Sequence, residues 1–183
     1  MKKTLVVVSH PNIETSVVNK RWLEEVRKYP DLFTVHELYK TYPDWQIDVR
    51  KEQALVEAHS ALVLQFPLYW FNSPPLLKKW LDDVFTYGWA YGSTGTQLKD
   101  LKMGLAVSAG ISHEDFSKNG RCGFSLSEIL RPFEMVARYT RADYQPSFAF
   151  HGAISEPGVG PQYTVDELEQ SARDYVGYLK GLL

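Results

Sequence analysis

Cysteine is the scarcest useful residue in this chain of 183: Cys122 stands alone. One cysteine excludes an intramolecular disulfide and a thiolate-based metal cluster. The five histidines, at 10, 36, 59, 113 and 151, show no metal-ligand spacing, since His113-Glu114 lacks the second histidine of H-E-x-x-H. No metal is expected. Long apolar runs are missing as well. The stretch Thr4 to Val8 after Met1-Lys2-Lys3 is too short for a signal peptide, and polar Ser9-His10-Pro11-Asn12 follows at once. Nothing is long and apolar enough to span a bilayer. Charge of one sign is also lacking. The formal net charge is −2 with Lys and Arg scattered, which leaves no footprint for nucleic acid and no basic helix for a membrane surface. There is no G-x-G-x-x-G, no P-loop and no G-x-S-x-G elbow, so a Rossmann-type fingerprint is absent and nucleophilic catalysis fits poorly. These absences point to a soluble cytoplasmic protein.

What is present is an alternation of apolar strands and amphipathic helices. Ala61–Phe66 is a short apolar-rich run that reads as a strand buried on both faces, Leu5–Val8 a continuous Val-rich and hence central strand, and Lys102–Ser108 a strand carried by Met103, Leu105 and Val107. Phe33–Leu38 and Gln145–Phe150 complete five. Between them the spacing predicts helices from about Val17 to Tyr29, from Lys51 to Ala58, from Pro74-Pro75 to near Tyr87-Gly88, and from Leu126 to Tyr139. Pro132 should start or kink the last of these. Thr164 with Glu167 is a capping-box signature for a final helix running to about Leu182. Gly152–Pro161 reads as a loop, and Tyr39–Val49 as a long aromatic connection. No repeat or linker interrupts residues 1–183, so one domain is expected. Its class is α/β: a flavodoxin-like three-layer sandwich, with a five-stranded parallel sheet in order 2-1-3-4-5 and helices on both faces.

That order places the ligand crevice at the carboxyl ends of strands 1 and 3, with the loop after strand 4 as neighbour. The first loop ends at a helix start, with His10, Thr15, Ser16, Val17, Val18 and Asn19 in position to offer donors to a phosphate. Ser16 can equally be an ordinary N-cap. The second loop, Pro67, Leu68, Tyr69, Trp70 and Phe71, is crowded with aromatic surface. It is either a packed hydrophobic turn or a wall for a flat aromatic ligand. The third, Ser108, Ala109, Gly110 and Ile111, is small enough to bring backbone N–H groups to a ligand edge. A phosphate site, an aromatic wall and a donor-rich edge together suit a flavin mononucleotide.

These residues also carry a resemblance. Ser9-His10-Pro11 with Thr15-Ser16 and Asn19, then Gln65-Phe66-Pro67-Leu68-Tyr69-Trp70-Phe71, then Pro74-Pro75-Leu76-Leu77-Lys78-x-Trp80, resemble the flavodoxin-like NAD(P)H:quinone oxidoreductases. Tyr42-Pro43-Asp44 with Ile47-Asp48, and Gly88-Trp89-Ala90-Tyr91-Gly92, are similar to the small bacterial members that include the ancillary subunit of glutathione-gated potassium efflux. The resemblance implies a homodimer holding FMN on the three loops. It implies NAD(P)H as hydride donor and a quinone as acceptor, the flavin supplying the chemistry and the protein its orientation. FAD is less expected, because the longer family members carry extra C-terminal sequence. A dimer interface would account for Tyr42, Trp45, Trp89 and Tyr91.

The departures from the family pattern concern proton handling. The family's two-threonine, two-glycine edge reads Ser108-Ala109-Gly110-Ile111, and the places of a tyrosine and a histidine hold Phe116 and Cys122. His113 is the remaining catalytic candidate nearby. The resemblance leaves two further readings: a regulatory ancillary subunit of a potassium-efflux protein at the inner face of the membrane, and a nitro- or azoreductase using the same flavin.

Overall fold

A computed structural model describes residues 2–154 and 162–183. The central strands β1 (Thr4–Val8), β3 (Ala61–Pro67) and β4 (Lys102–Ser108) lie side by side and parallel. Nearly every residue in them is buried, as their Val-, Leu- and Ala-rich runs require of strands covered on both faces. β2 (Phe33–Glu37) flanks β1, and the order is β2-β1-β3-β4-β5, with β5 at Asp143–Tyr144 and β6 (Phe148–Phe150) also on β4. Alternate side chains feed two cores. Leu5, Val7, Leu62, Leu64 and Phe66 meet α4 (Pro75–Val84) and α6 (Arg131–Thr140). Val6, Val8 and Val63 meet α1 (Val18–Val26) and α7 (Val165–Gly181). This is the expected sandwich, with helices on both faces.

The fifth strand differs from the expectation. Gln145–Phe150 is not one strand: Asp143–Tyr144 (β5) pairs with Lys102–Met103, and Phe148–Phe150 (β6) pairs with Ala106–Ser108. Pro146 lies between them and has no N–H to give the ladder. The helix expected over Leu126–Tyr139 is likewise two pieces, α5 (Leu126–Ile129) and α6, with Pro132 in the first turn of α6. Two short helical pieces lie in the expected loops, a 3-10 turn at Ile13–Thr15 and α2 at Leu38–Thr41. α3 spans Val49–Glu57, capped by Asp48, whose carboxylate accepts from the Lys51 N–H at 3.1 Å. The Thr164–Glu167 capping box is present at the start of α7. Of the expected loop Gly152–Pro161, residues 155–161 lie outside the described residues.

Tyr42 requires a correction. Rather than lying free for an interface it is 5 % exposed, and its hydroxyl donates to the Glu52 carboxylate at 2.6 Å. Glu52 is fully buried on α3, and also accepts from Trp80 Nε1 of α4 at 2.7 Å. His36 Nε2 lies 2.9 Å from the same carboxylate. Burial works to raise the Glu52 pKa, but the hydrogen bonds from His36, Tyr42 and Trp80 outweigh it and hold the carboxyl below its ordinary value. The polar cluster thereby joins β2, the chain after α2, α3 and α4, and α4 is the helix that follows the aromatic turn.

Candidate functional site

At the carboxyl edge of the sheet the chain leaves β1, β3 and β4 in three adjacent loops, and a cavity of about 480 Å³ opens between them. From the first loop it is lined by His10, Thr15, Ser16, Val17, Val18 and Asn19. Ser16 is extended at the foot of α1, and its Oγ accepts the Asn19 N–H at 3.2 Å. It therefore serves as a cap while lining the cavity, so both readings of Ser16 describe one geometry. No described acceptor takes the N–H groups of Val17 and Val18, the usual state of a helix start. His10 Nδ1 accepts from the Asn12 N–H at 3.1 Å, which leaves the proton of the neutral ring on Nε2. Burial lowers the His10 pKa below 6.5, so at neutral pH the ring is uncharged.

The second loop contributes Pro67, Leu68 and Tyr69. Leu68 N–H donates to the Ser108 carbonyl at 2.8 Å, locking this loop to the end of β4. Tyr69 and Asn72 then exchange two backbone hydrogen bonds, of 2.8 and 3.0 Å, and close a two-residue turn. Its central residues are Trp70 at φ 47° and Phe71 at φ 61°. Both are in the left-handed region, which a turn of this type normally gives to Asn-Gly. Trp70 is 93 % exposed and Phe71 50 %. Neither lines the cavity; the pair stands at its rim beside Tyr69.

From the third loop Ser108 and Gly110 line the cavity, and Ala109 and Ile111 do not. The Ala109 N–H is spent on the Phe150 carbonyl at 2.8 Å, and the Ile111 carbonyl accepts from Gly152 at 3.1 Å. These bonds continue the β4–β6 ladder past the strands and bring Ala153, Ile154 and Tyr163 to the cavity. The sequence reading missed these three. A signal existed for the first two, because a small-residue segment leaving the last strand must emerge at the same edge as the other loops. Tyr163 had none.

His113 does not reach this cavity. It lines a second one of about 410 Å³ with Phe116 and His151. The His113 and His151 rings are 5.1 Å apart and edge-on, and burial holds the His151 pKa below its ordinary value. Phe116 is buried against His151, and Cys122 lines neither cavity.

No Lys, Arg, Asp or Glu lines the principal cavity among the described residues. An anion there would be held by helix-start N–H groups, the helix dipole and hydroxyls rather than by an ion pair. The size suits a mononucleotide with a flat ring. The residues present therefore fit FMN.

A family model described as flavodoxin-like fold matches residues 2–176. The chain belongs to this family. Within it, a Bacillus subtilis relative named as an uncharacterized NAD(P)H oxidoreductase, YrkL, is 44 % identical over 97 % of this chain and 98 % of its own. The potassium-efflux ancillary protein KefG of Cronobacter sakazakii is 34 % identical over 97 % of this chain and 92 % of its own. Among solved structures, general stress protein 14 of Treponema denticola in complex with FMN superposes with a TM-score of 0.92. It is 52 % identical, with 99 % of each chain covered. A protein from P. pentosaceus named as an NADPH-quinone reductase superposes with a TM-score of 0.83 at 30 % identity, with 97 % of each chain covered.

Proposed function

We propose that this flavodoxin-like chain is an FMN-dependent NAD(P)H:quinone oxidoreductase acting as a homodimer. The observation that carries the reading is the cavity itself: a helix start, an aromatic turn and a small strand end, converging without a charged side chain among the described lining residues where this topology leaves its crevice. The relatives named as NAD(P)H oxidoreductase and NADPH-quinone reductase, and the FMN-bound neighbour, support it. FMN, when bound, supplies the two-electron chemistry that links NAD(P)H to a quinone. The chain's own part is placement. Val17 and Val18 N–H with Ser16 hold the phosphate. Leu68 and Tyr69 wall the ring, and neutral His10 offers an Nε2 proton to an uncharged acceptor. Trp70, Tyr87, Met135 and Tyr139 expose apolar surface that a second copy would cover. The test is the cofactor released from purified protein: a mass and yellow spectrum of FMN are expected, and colourless protein that takes up no FMN refutes the reading.

A second reading, favoured by the KefG relative, is a regulatory subunit of a potassium-efflux protein. Among the described residues no helix is long and apolar enough to cross a membrane, so attachment would run through that partner. Co-purification with the transporter from membranes supports it, and recovery of the chain only from the soluble fraction in a host that makes the transporter counts against it.

A further inference from the structure

We propose that Asn19, oriented by Gln65, sets the hydroxyls of Ser16 and Ser108 as hydrogen-bond donors to the bound flavin, making Asn19 and Gln65 positioning residues. The inference rests on the FMN reading above. Gln65 is fully buried in β3 and Asn19 is 1 % exposed on α1. Gln65 Nε2 donates to the Asn19 carbonyl at 3.1 Å and reaches Asn19 Oδ1 at 3.4 Å. Two oxygens face that nitrogen, so the reversed amide would set oxygen against oxygen, and only one orientation of Gln65 is consistent. With its Oδ1 directed to Gln65, Asn19 must turn Nδ2 the other way, where it donates to Ser108 Oγ at 2.8 Å. The Asn19 backbone N–H meanwhile donates to Ser16 Oγ at 3.2 Å.

A hydroxyl has one proton to give and two lone pairs to receive. Ser16 and Ser108 each receive from Asn19, and no described group takes the proton of either, while both line the cavity. Thr15 is the opposite case. Its hydroxyl donates to the Asn12 carbonyl at 3.1 Å and keeps only lone pairs for a ligand. The cavity thus asks for acceptor atoms at both serines. Ser16 stands at the start of α1, where an anionic oxygen is favoured. Ser108 ends β4, its carbonyl accepting from the Leu68 N–H of the loop that walls the ring, and would serve the uncharged part of the flavin.

The experiment titrates flavin-stripped full-length protein with FMN and with riboflavin, which lacks the phosphate. Ser108→Ala should weaken both ligands by roughly tenfold, the loss of one hydrogen bond. Asn19→Asp keeps the shape, but a carboxylate cannot donate, so at pH 8 the Ser108 hydroxyl must turn and give its proton to Asp instead of the ligand. Riboflavin should then lose about as much as in Ser108→Ala. The double variant should lose no more than Asn19→Asp alone, because the donor is already gone. Acidification that protonates the introduced carboxyl returns a donor and should restore riboflavin binding, a recovery that Ser108→Ala does not show. A purely structural Asn19 would move the melting temperature without this pH signature. If Asn19→Asp does not fold, Ser108→Thr should keep the affinity that Ser108→Ala loses. Additive losses, a pH-independent loss in Asn19→Asp, or unchanged affinity in Ser108→Ala overturns the inference alone. A wild-type chain that takes up neither flavin overturns the FMN reading and this inference with it.

Discussion

The turn Tyr69–Asn72 allows packing and function to be separated by one substitution pair, Trp70→Asn with Phe71→Gly. Both native residues are left-handed, at φ 47° and 61°. An L-residue with a side chain costs about 1–2 kcal/mol in that region. Asn-Gly is the pair this turn type favours, so the substitution relieves about 2–3 kcal/mol of backbone strain. Against this stand the burial lost with half-exposed Phe71, about 1 kcal/mol, and the added freedom of glycine in the unfolded chain, about 0.5–1 kcal/mol. Trp70, at 93 % exposed, contributes almost nothing to packing within the protomer. The balance is a stabilisation of about 1 kcal/mol, or roughly 2–4 °C in melting temperature for a chain of this length. Urea unfolding and thermal melts of the apo-protein measure it, and quinone turnover with saturating FMN measures the other half. The expected pair of results is a raised melting temperature with reduced turnover, since strain kept at a site rim belongs to the ligand rather than the fold. A fall in stability of more than about 1 kcal/mol would show that these aromatics are packing after all.

Glu52→Ala strips Tyr42, Trp80 and His36 of their shared acceptor inside the core; a loss of about 3–5 kcal/mol is expected. A change under about 1 kcal/mol in urea unfolding would mean that the cluster does not hold these elements together. Stability should also fall with acid before any carboxylate titrates. Burial depresses the pKa values of His10, His59 and His151 below 6.5, so the unfolded chain binds the extra protons as pH drops through 6.5. Their contribution is complete above about pH 7 and is lost downwards from there, and a melting temperature flat from pH 7.5 to about 5.5 would contradict it. Homodimer formation predicts about twice the monomer mass in sedimentation equilibrium, and Tyr139→Glu with Met135→Glu should shift it to monomer. A chain that is monomeric before substitution removes the dimer from the account.

Strands β1, β3 and β4 were legible because burial on both faces leaves segments rich in apolar residues, and the order of such strands locates the crevice. The capping box at Thr164 was legible because it is local. What escaped depends on contacts between distant residues. Tyr42 reads as surface until Glu52 arrives from the next helix to meet its hydroxyl. Asp143–Tyr144 pairs with β4 through backbone alone, so a polar dipeptide gave no strand pattern. His113 lies close in sequence to the small strand end at Ser108–Gly110, yet it lines another cavity with Phe116 and His151, a residue distant in sequence. The left-handed turn escaped because Trp-Phe carries no turn signal of its own.

The central claim is electron transfer from a nicotinamide to a quinone through one bound flavin. Its most direct test is an anaerobic titration of the purified yellow protein. One equivalent of NADH or NADPH per flavin should bleach the visible absorbance, and one equivalent of a quinone should return it. A flavin that stays oxidised with both nucleotides, or that once reduced is not reoxidised by quinone, contradicts the account.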